Sequence, residues 1–224
     1  MTLLCIDTTT AVCSAALCQD GTLLKQCICR EGSNHARLLP LYIQELLTLA
    51  REKKLTIDAV ALSEGPGSYT GLRIGASTAK GLCYGFDIPL IPVPTLQVLC
   101  EAAKKNSEFR IQNSDVLCPM IDARRMEVYT MIDGETKAVV VESEQSLTAN
   151  DAAVWYFGDG AAKCQSVLTN PRWHYIPDIV PEAQYVAALA EQSTTRIQHA
   201  DLAYYEPYYL KEFIAAQSHV KGLK

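Results

Sequence analysis

Short apolar runs broken by turn residues open the chain, and their spacing predicts strands before helices. Thr2–Asp7 is an apolar run, Thr8-Thr9-Thr10 a polar turn, and residues 11–18 a second β-like run. Gln19-Asp20-Gly21 marks a hairpin turn, because Asp-Gly readily takes the positive φ that a tight hairpin needs. Thr22–Cys29 then completes a three-stranded meander. Ser33 and Asn34 are capping candidates for a helix predicted over residues 35–53. Its apolar positions Leu38, Leu39, Tyr42, Leu46 and Leu49 recur every three or four residues, which buries one stripe. A strand over 57–62, the loop Ser63-Glu64-Gly65-Pro66-Gly67-Ser68, a helix to about Tyr84, a proline-edged strand over 88–94 and a helix over 96–104 follow.

Residues 107–113 form a polar connector, and strands over 116–122 and 127–132 make a hairpin around Ala123-Arg124-Arg125. Further strands are predicted over 139–142 and 154–157, the latter ending in Gly158-Asp159-Gly160 and a short helix to Val167. Residues 182–193 carry the last helical pattern, before Tyr204-Tyr205-Glu206-Pro207-Tyr208-Tyr209. Each half opens with strands and closes with helices. The expected fold is therefore α/β, in two related subdomains of mixed sheet over 1–106 and 107–224.

Composition narrows the function. The chain has 224 residues and a net charge of −5, which argues against independent binding to nucleic acid or an anionic membrane. The first apolar run is too short for a signal peptide core and carries no basic leader, and no run reaches the ~20 residues of a membrane span. Nine cysteines, without a Cys-x-x-Cys pair, read as small apolar thiols in a reduced cytoplasmic protein.

Three loops carry candidate chemistry. In Gly65-Pro66-Gly67-Ser68-Tyr69-Thr70-Gly71-Leu72-Arg73-Ile74-Gly75, the first glycines permit a sharp strand-to-helix turn, and Ser68 or Thr70 can cap the helix. It is not a P-loop, since no Gly-Lys-Ser/Thr is present. Gly71, Gly75, Ala79 and Cys83 fall at four-residue steps, so the helix accepts a close neighbour, either in this chain or in a partner. Asp7-Thr8-Thr9 is either a carboxylate and hydroxyls beside a phosphate or Mg²⁺, or an Asx-turn. Gly158-Asp159-Gly160 is the matching loop of the second half; facing each other, the two would bound a nucleotide cleft. The four histidines are scattered, no Gly-x-Ser-x-Gly elbow occurs, and no catalytic constellation emerges.

These pieces run in family order with Cys13-Ser14-Ala15-Ala16-Leu17, Ala79-Lys80-Gly81-Leu82, Asp122-Ala123-Arg124-Arg125-Met126-Glu127-Val128-Tyr129 and Glu206-Pro207-Tyr208-Tyr209-Leu210-Lys211. Together they resemble the TsaB (YeaZ) family, accessory proteins of bacterial N6-threonylcarbamoyladenosine synthesis on tRNA. The resemblance implies the actin-like ATPase (ASKHA) fold. It also implies a heterodimer with TsaD, recruitment of the ATPase TsaE, indirect contact with tRNA, and a homodimer in isolation. ATP or ADP would sit at the complex interface, with no cofactor or metal of the chain's own. Leu38, Leu39, Tyr42, Leu46, Gly71, Ile74, Gly75 and Ala79 are then expected to form a helical seam with the partner. Asp7, Thr8, Thr9, Gly158, Asp159 and Gly160 are the candidates for nucleotide. Where TsaD carries two metal-binding histidines after Pro-Leu-Ile, this chain aligns Thr95 and Leu99, which cannot replace imidazoles. The resemblance thus implies a subunit that performs no transfer, and it speaks against the family's older glycoprotease label. The alternative is a small ASKHA-type ATPase or kinase.

Overall fold

The computed structural model describes all residues except 33, 107, 110, 113, 133, 148–151, 194 and 212–224. Strands β1 (Thr2–Asp7), β2 (Cys13–Gln19), β3 (Thr22–Cys29), β4 (Ala59–Gly65) and β5 (Leu90–Pro94) form one sheet in the order β3-β2-β1-β4-β5. Helices α1 (His35–Glu52), α2 (Tyr69–Phe86) and α3 (Thr95–Lys105) follow β3, β4 and β5. The meander pairs antiparallel, whereas β1, β4 and β5 run parallel.

A second sheet repeats the plan. Strands β6 (Val116–Asp122), β7 (Glu127–Ile132), β8 (Glu135–Val140), β9 (Val154–Phe157) and β10 (Trp173–Ile176) lie in the order β10-β9-β6-β7-β8. Again the first three strands are an antiparallel meander, and β6, β9 and β10 are parallel. Strand for strand, β6 to β10 take the places of β1 to β5. The fold is thus the expected mixed α/β arrangement, built twice.

Burial follows from the pattern. Leu4, Ile6, Leu17, Val60 and Leu62 face α1 and α2 and meet Leu39, Ile43, Leu46, Ala76 and Ala79. The opposite side of that sheet presents Leu3, Cys5, Ala16, Ala61 and Ile91 to α4 (Ala183–Gln192). Ser14 Oγ accepts from the Ala183 amide at 2.9 Å, and Gln26 Oε1 from the Gln184 amide at 2.8 Å, which fixes the start of α4 on the first sheet. By its packing α4 therefore belongs to the first sheet, although it follows the second along the chain. A further short helix, α5 (His199–Leu202), precedes the C-terminal segment, and Ile197 bridges to Leu90 at the sheet edge.

Several elements differ from expectation, α5 among them, since it follows the last predicted helical pattern. β8 spans Glu135–Val140 rather than 139–142, since its Glu135 and Lys137 face solvent at a sheet edge and mask the alternation. The helix expected up to Val167 is only a turn over Ala162–Cys164. β10 was not anticipated at all: a four-residue strand is stabilised by parallel pairing with distant β9, which carries no local signal. Asn34 stands at the N-cap of α1 without a side-chain hydrogen bond, and Ser33 lies outside the described residues.

All nine cysteines are free; eight are buried and Cys29 half-buried. Burial pushes the thiols of Cys83, Cys100 and Cys118 up to about 12, so they pack as apolar groups. Among the described residues no helix is long and apolar enough to cross a membrane.

Candidate functional site

The turn between β1 and β2 is wrapped by the start of α2. Asp7 is fully buried, and its Oδ1 accepts from the Thr9 amide at 3.0 Å and the Thr9 hydroxyl at 2.9 Å, the Asx-turn geometry. Its Oδ2 is buried and has no hydrogen-bond partner among the described residues. Burial pushes the carboxyl up to about 6, with Ser63, Thr9 and His35 moderating the rise. The Thr8 hydroxyl donates to the Gly71 carbonyl at 2.8 Å, and the Ser68 amide donates to the Thr9 carbonyl at 2.7 Å.

Those contacts explain Gly67 in the loop before α2 and Gly71 and Gly75 in its first half. A Cβ added at Gly67 would stand 2.4 Å from Thr9 O, and one at Gly75 would stand 2.5 Å from Thr8 Oγ1. The stripe thus accepts a close neighbour inside the chain. This corrects part of the expected seam: Gly71, Gly75, Ala79, Leu39 and Leu46 are all buried against the chain's own turn and sheet. Periodicity shows that a close neighbour exists but not whose atoms it is made of.

Between the two sheets lies a cavity of about 690 Å³. One wall is Thr9, Thr10 and the first turn of α2, where Ser68 Oγ caps the Gly71 amide at 3.3 Å. The facing wall is Asp122, Arg124, Glu127, Tyr129 and Asp159. Residues 208–211 close one side. Of the six residues expected around nucleotide, Thr9 and Asp159 line this cavity. Asp7 is fully buried, and Thr8 is buried beneath Gly71 and Gly75 of α2. Gly158 and Gly160 press against β6, where a Cβ would meet Met120 O at 2.2 Å and Ile121 C at 2.8 Å. Asp159 Oδ1 accepts from the Asp122 amide at 3.0 Å, and burial together with the Asp122 charge raises its pKa.

Arg124 and the segment 208–211 were not among the expected site residues. Arg124 and Arg125 both have left-handed backbone, with φ of 72° and 52°, at the tip of the β6–β7 hairpin. Positive φ at two consecutive non-glycine residues shows only in the fold; the signal in the sequence is the run over residues 122–129 that carries the family resemblance. The segment 208–211 stands out in the sequence only as part of the family run over residues 206–211, because folding alone brings it to the cavity.

Thr95 and Leu99, the positions aligned with metal-binding histidines, are both fully buried. Thr95 Oγ1 lies 2.8 Å from Ser63 Oγ and accepts from the Gly65 amide at 2.9 Å. Leu99 packs with Leu96, Ile121 and Phe157 between the sheets. Among the described residues no group of three or more His, Cys, Asp or Glu side chains is placed to hold a metal ion.

The model of the family "tRNA N6-adenosine threonylcarbamoyltransferase" (TsaD) matches residues 31–156. The tRNA threonylcarbamoyladenosine biosynthesis protein TsaB of Escherichia coli K12 is 32% identical over 237 residues, spanning 96% of this chain and 96% of that protein. This chain belongs to the TsaB family. The Haemophilus influenzae TsaB is 37% identical over 129 residues, which is 58% of this chain and 52% of that protein. A solved structure described as YeaZ from Pseudomonas aeruginosa superposes with a TM-score of 0.71 at 26% identity, covering 93% of this chain and 99% of that one. The doubled sheet is accordingly the actin-like ATPase fold of the TsaB family.

In this TsaB-family chain the outer side of α1 and α2 is the surface the buried stripe leaves over. Leu38, Tyr42 and Ile74 are half-buried there, and Leu41 is 55% exposed. Further along α2, Gly81 and Gly85 are exposed, with no described residue within 4 Å of an added Cβ. Tyr84 and Phe86 are 68% and 48% exposed at the same end.

Proposed function

We propose that this chain is a non-catalytic subunit of the cytoplasmic assembly that forms N6-threonylcarbamoyladenosine at position 37 of tRNAs reading codons that begin with A. It acts by dimerising with TsaD and drawing in TsaE. The observation that carries the reading is the match over 96% of both chains to a protein named for threonylcarbamoyladenosine biosynthesis. The partner surface is the outer face of α1 and α2, with Leu38, Leu41, Tyr42 and Ile74 as its apolar anchors and Gly81 and Gly85 allowing a helix to approach. In the partner's absence the same face joins two copies of this chain. With a net charge of −5, contact with tRNA runs through the assembly.

Size-exclusion chromatography with light scattering, on the chain alone and mixed with TsaD of the same source, tests this. A peak at the summed mass is expected, and Leu41→Asp with Ile74→Asp should abolish it while the thermal melt is kept. No complex with TsaD, with or without nucleotide and TsaE, overturns the reading.

The second reading is a small ATPase or kinase, favoured by the cavity that Thr9 and Asp159 line from opposite walls. Nucleotide then binds the isolated chain, rather than at the interface with TsaD as the first reading has it. Titration calorimetry with Mg-ATP separates them: micromolar binding by the isolated chain supports the second, and a flat trace supports the first.

A further inference from the structure

The C-terminal segment crosses from one sheet to the other. Leu202 is buried with the α1–α2 core. Lys80 Nζ, on α2, donates to the carbonyls of Ala203 at 2.8 Å and Tyr205 at 3.0 Å. The Tyr208 amide donates to the Glu64 carbonyl at 2.8 Å, at the end of β4. There the backbones approach so closely that a Cβ at Gly65 would stand 2.5 Å from Tyr208 O. The Tyr209 ring lies 5.3 Å from that of Tyr69 on α2. Up to this point the segment is held by the first sheet and its helices. Then Lys211 reaches over the cavity and pairs with Glu127 at the start of β7, in the second sheet.

We propose that residues 203–211 form a latch across the cavity, hooked to the first sheet and clasped to the second by the Lys211–Glu127 ion pair. The two ends are built differently. The hook is backbone hydrogen bonding and close packing, which do not release without local unfolding. The clasp is one ion pair whose side chains are 46% and 21% exposed, the kind of contact that exchanges readily with water. Because Leu210 and Lys211 lie beyond the hook in the side of the cavity that residues 208–211 form, opening the clasp frees the outer end of that side and gives the cavity a wider mouth. The latch controls entry to the space between the sheets, whatever occupies it, and does not depend on the partner proposed above.

Hydrogen exchange followed by mass spectrometry, on the full chain, reads the latch directly. Lys211→Glu and Glu127→Lys should each speed exchange in the peptide covering residues 207–211 by about 5-fold or more. They should also speed exchange at the cavity wall over residues 8–12, while β1 and β4 keep their protection. The double charge swap should return both peptides to within about 2-fold of the parent. Glu127→Gln, a milder change, should move both in the same direction. Unaltered exchange at 207–211, a loosened segment with an unaltered cavity wall, or a swap that does not restore protection would each overturn the proposal.

Discussion

Gly71 and Thr8 are locked together: the Thr8 hydroxyl donates to the Gly71 carbonyl at 2.8 Å, and a Cβ on Gly71 would lie 2.0 Å from Thr8 O. The helix that bears the cavity wall is thus seated on the β1–β2 turn by the absence of a side chain. Gly71→Ala should destabilise the fold by about 3 kcal/mol or more, since neither backbone can yield cheaply. On the same helix Gly81→Ala should stabilise by about 0.5–1 kcal/mol, because the added methyl meets nothing and the unfolded chain loses freedom. Chemical denaturation of both variants checks the pair. Equal effects would remove the contrast between the inner and outer faces of α2.

Asp7 makes stability depend on pH. Its carboxyl titrates near 6 when folded against an ordinary value of 3.8, so folding favours the protonated form. Its contribution is fully present below the ordinary value and is lost as pH rises through about 6. Above that, the buried charge costs about 3 kcal/mol. Asn keeps the oxygen that Thr9 binds and carries no charge. Asp7→Asn should therefore be more stable than the parent at pH 7–8, with the difference gone near pH 4. Thermal melts across that range decide it, and a variant less stable at pH 8 would contradict the account.

Thr95 ties α3 to β4: it begins α3, faces Ser63 of β4 and accepts from the Gly65 amide at the end of that strand. Valine has nearly its shape without the hydroxyl. Thr95→Val should cost about 1–3 kcal/mol, the desolvation of a buried amide left without an acceptor. Thr95→Ser should recover most of that, and urea denaturation measures both. If valine were neutral, the hydroxyl bridge would not be what joins β4 to α3.

Glu182 is 3% exposed at the start of α4, where it pairs with Arg30 and accepts from the Nε2 groups of Gln26 and Gln184 at 2.8 and 2.7 Å. Removing it strands two amide groups. Glu182→Ala should cost about 2 kcal/mol and loosen α4 from β3. Arg30→Ala, whose side chain is 63% exposed, should cost less than about 1 kcal/mol. Equal losses from the two would mean that the ion pair, not the amide bonds, seats the helix.

Much of this was legible without coordinates. The meander β1–β3, the helices α1 and α2 and the hairpin β6–β7 follow from local pattern, because alternation, helical spacing and Asp-Gly turns act over a few residues. The family was legible because the glycine block and the Asp-Ala-Arg-Arg hairpin stand in order along the chain. The cavity wall was half legible: Thr9 and Asp159 sit in recognisable turns, whereas Tyr208, Tyr209 and Lys211 reach it only through α2 and β4.

What the sequence by itself determined, then, is which stretches form strands and helices, that the plan is repeated, and that α2 has one face built for a close neighbour. Which neighbour fills that face was decided by tertiary structure: Thr8 and Thr9 occupy it, and the outward surface passes to Leu38, Leu41, Tyr42 and Ile74. Tertiary structure alone also made β10, drew α4 onto the first sheet and carried Lys211 to Glu127. The physical reason is common to all of these. Periodicity and turn chemistry are local properties of the backbone and its side chains, but the partner of a buried face is chosen by the free energy of packing the whole chain.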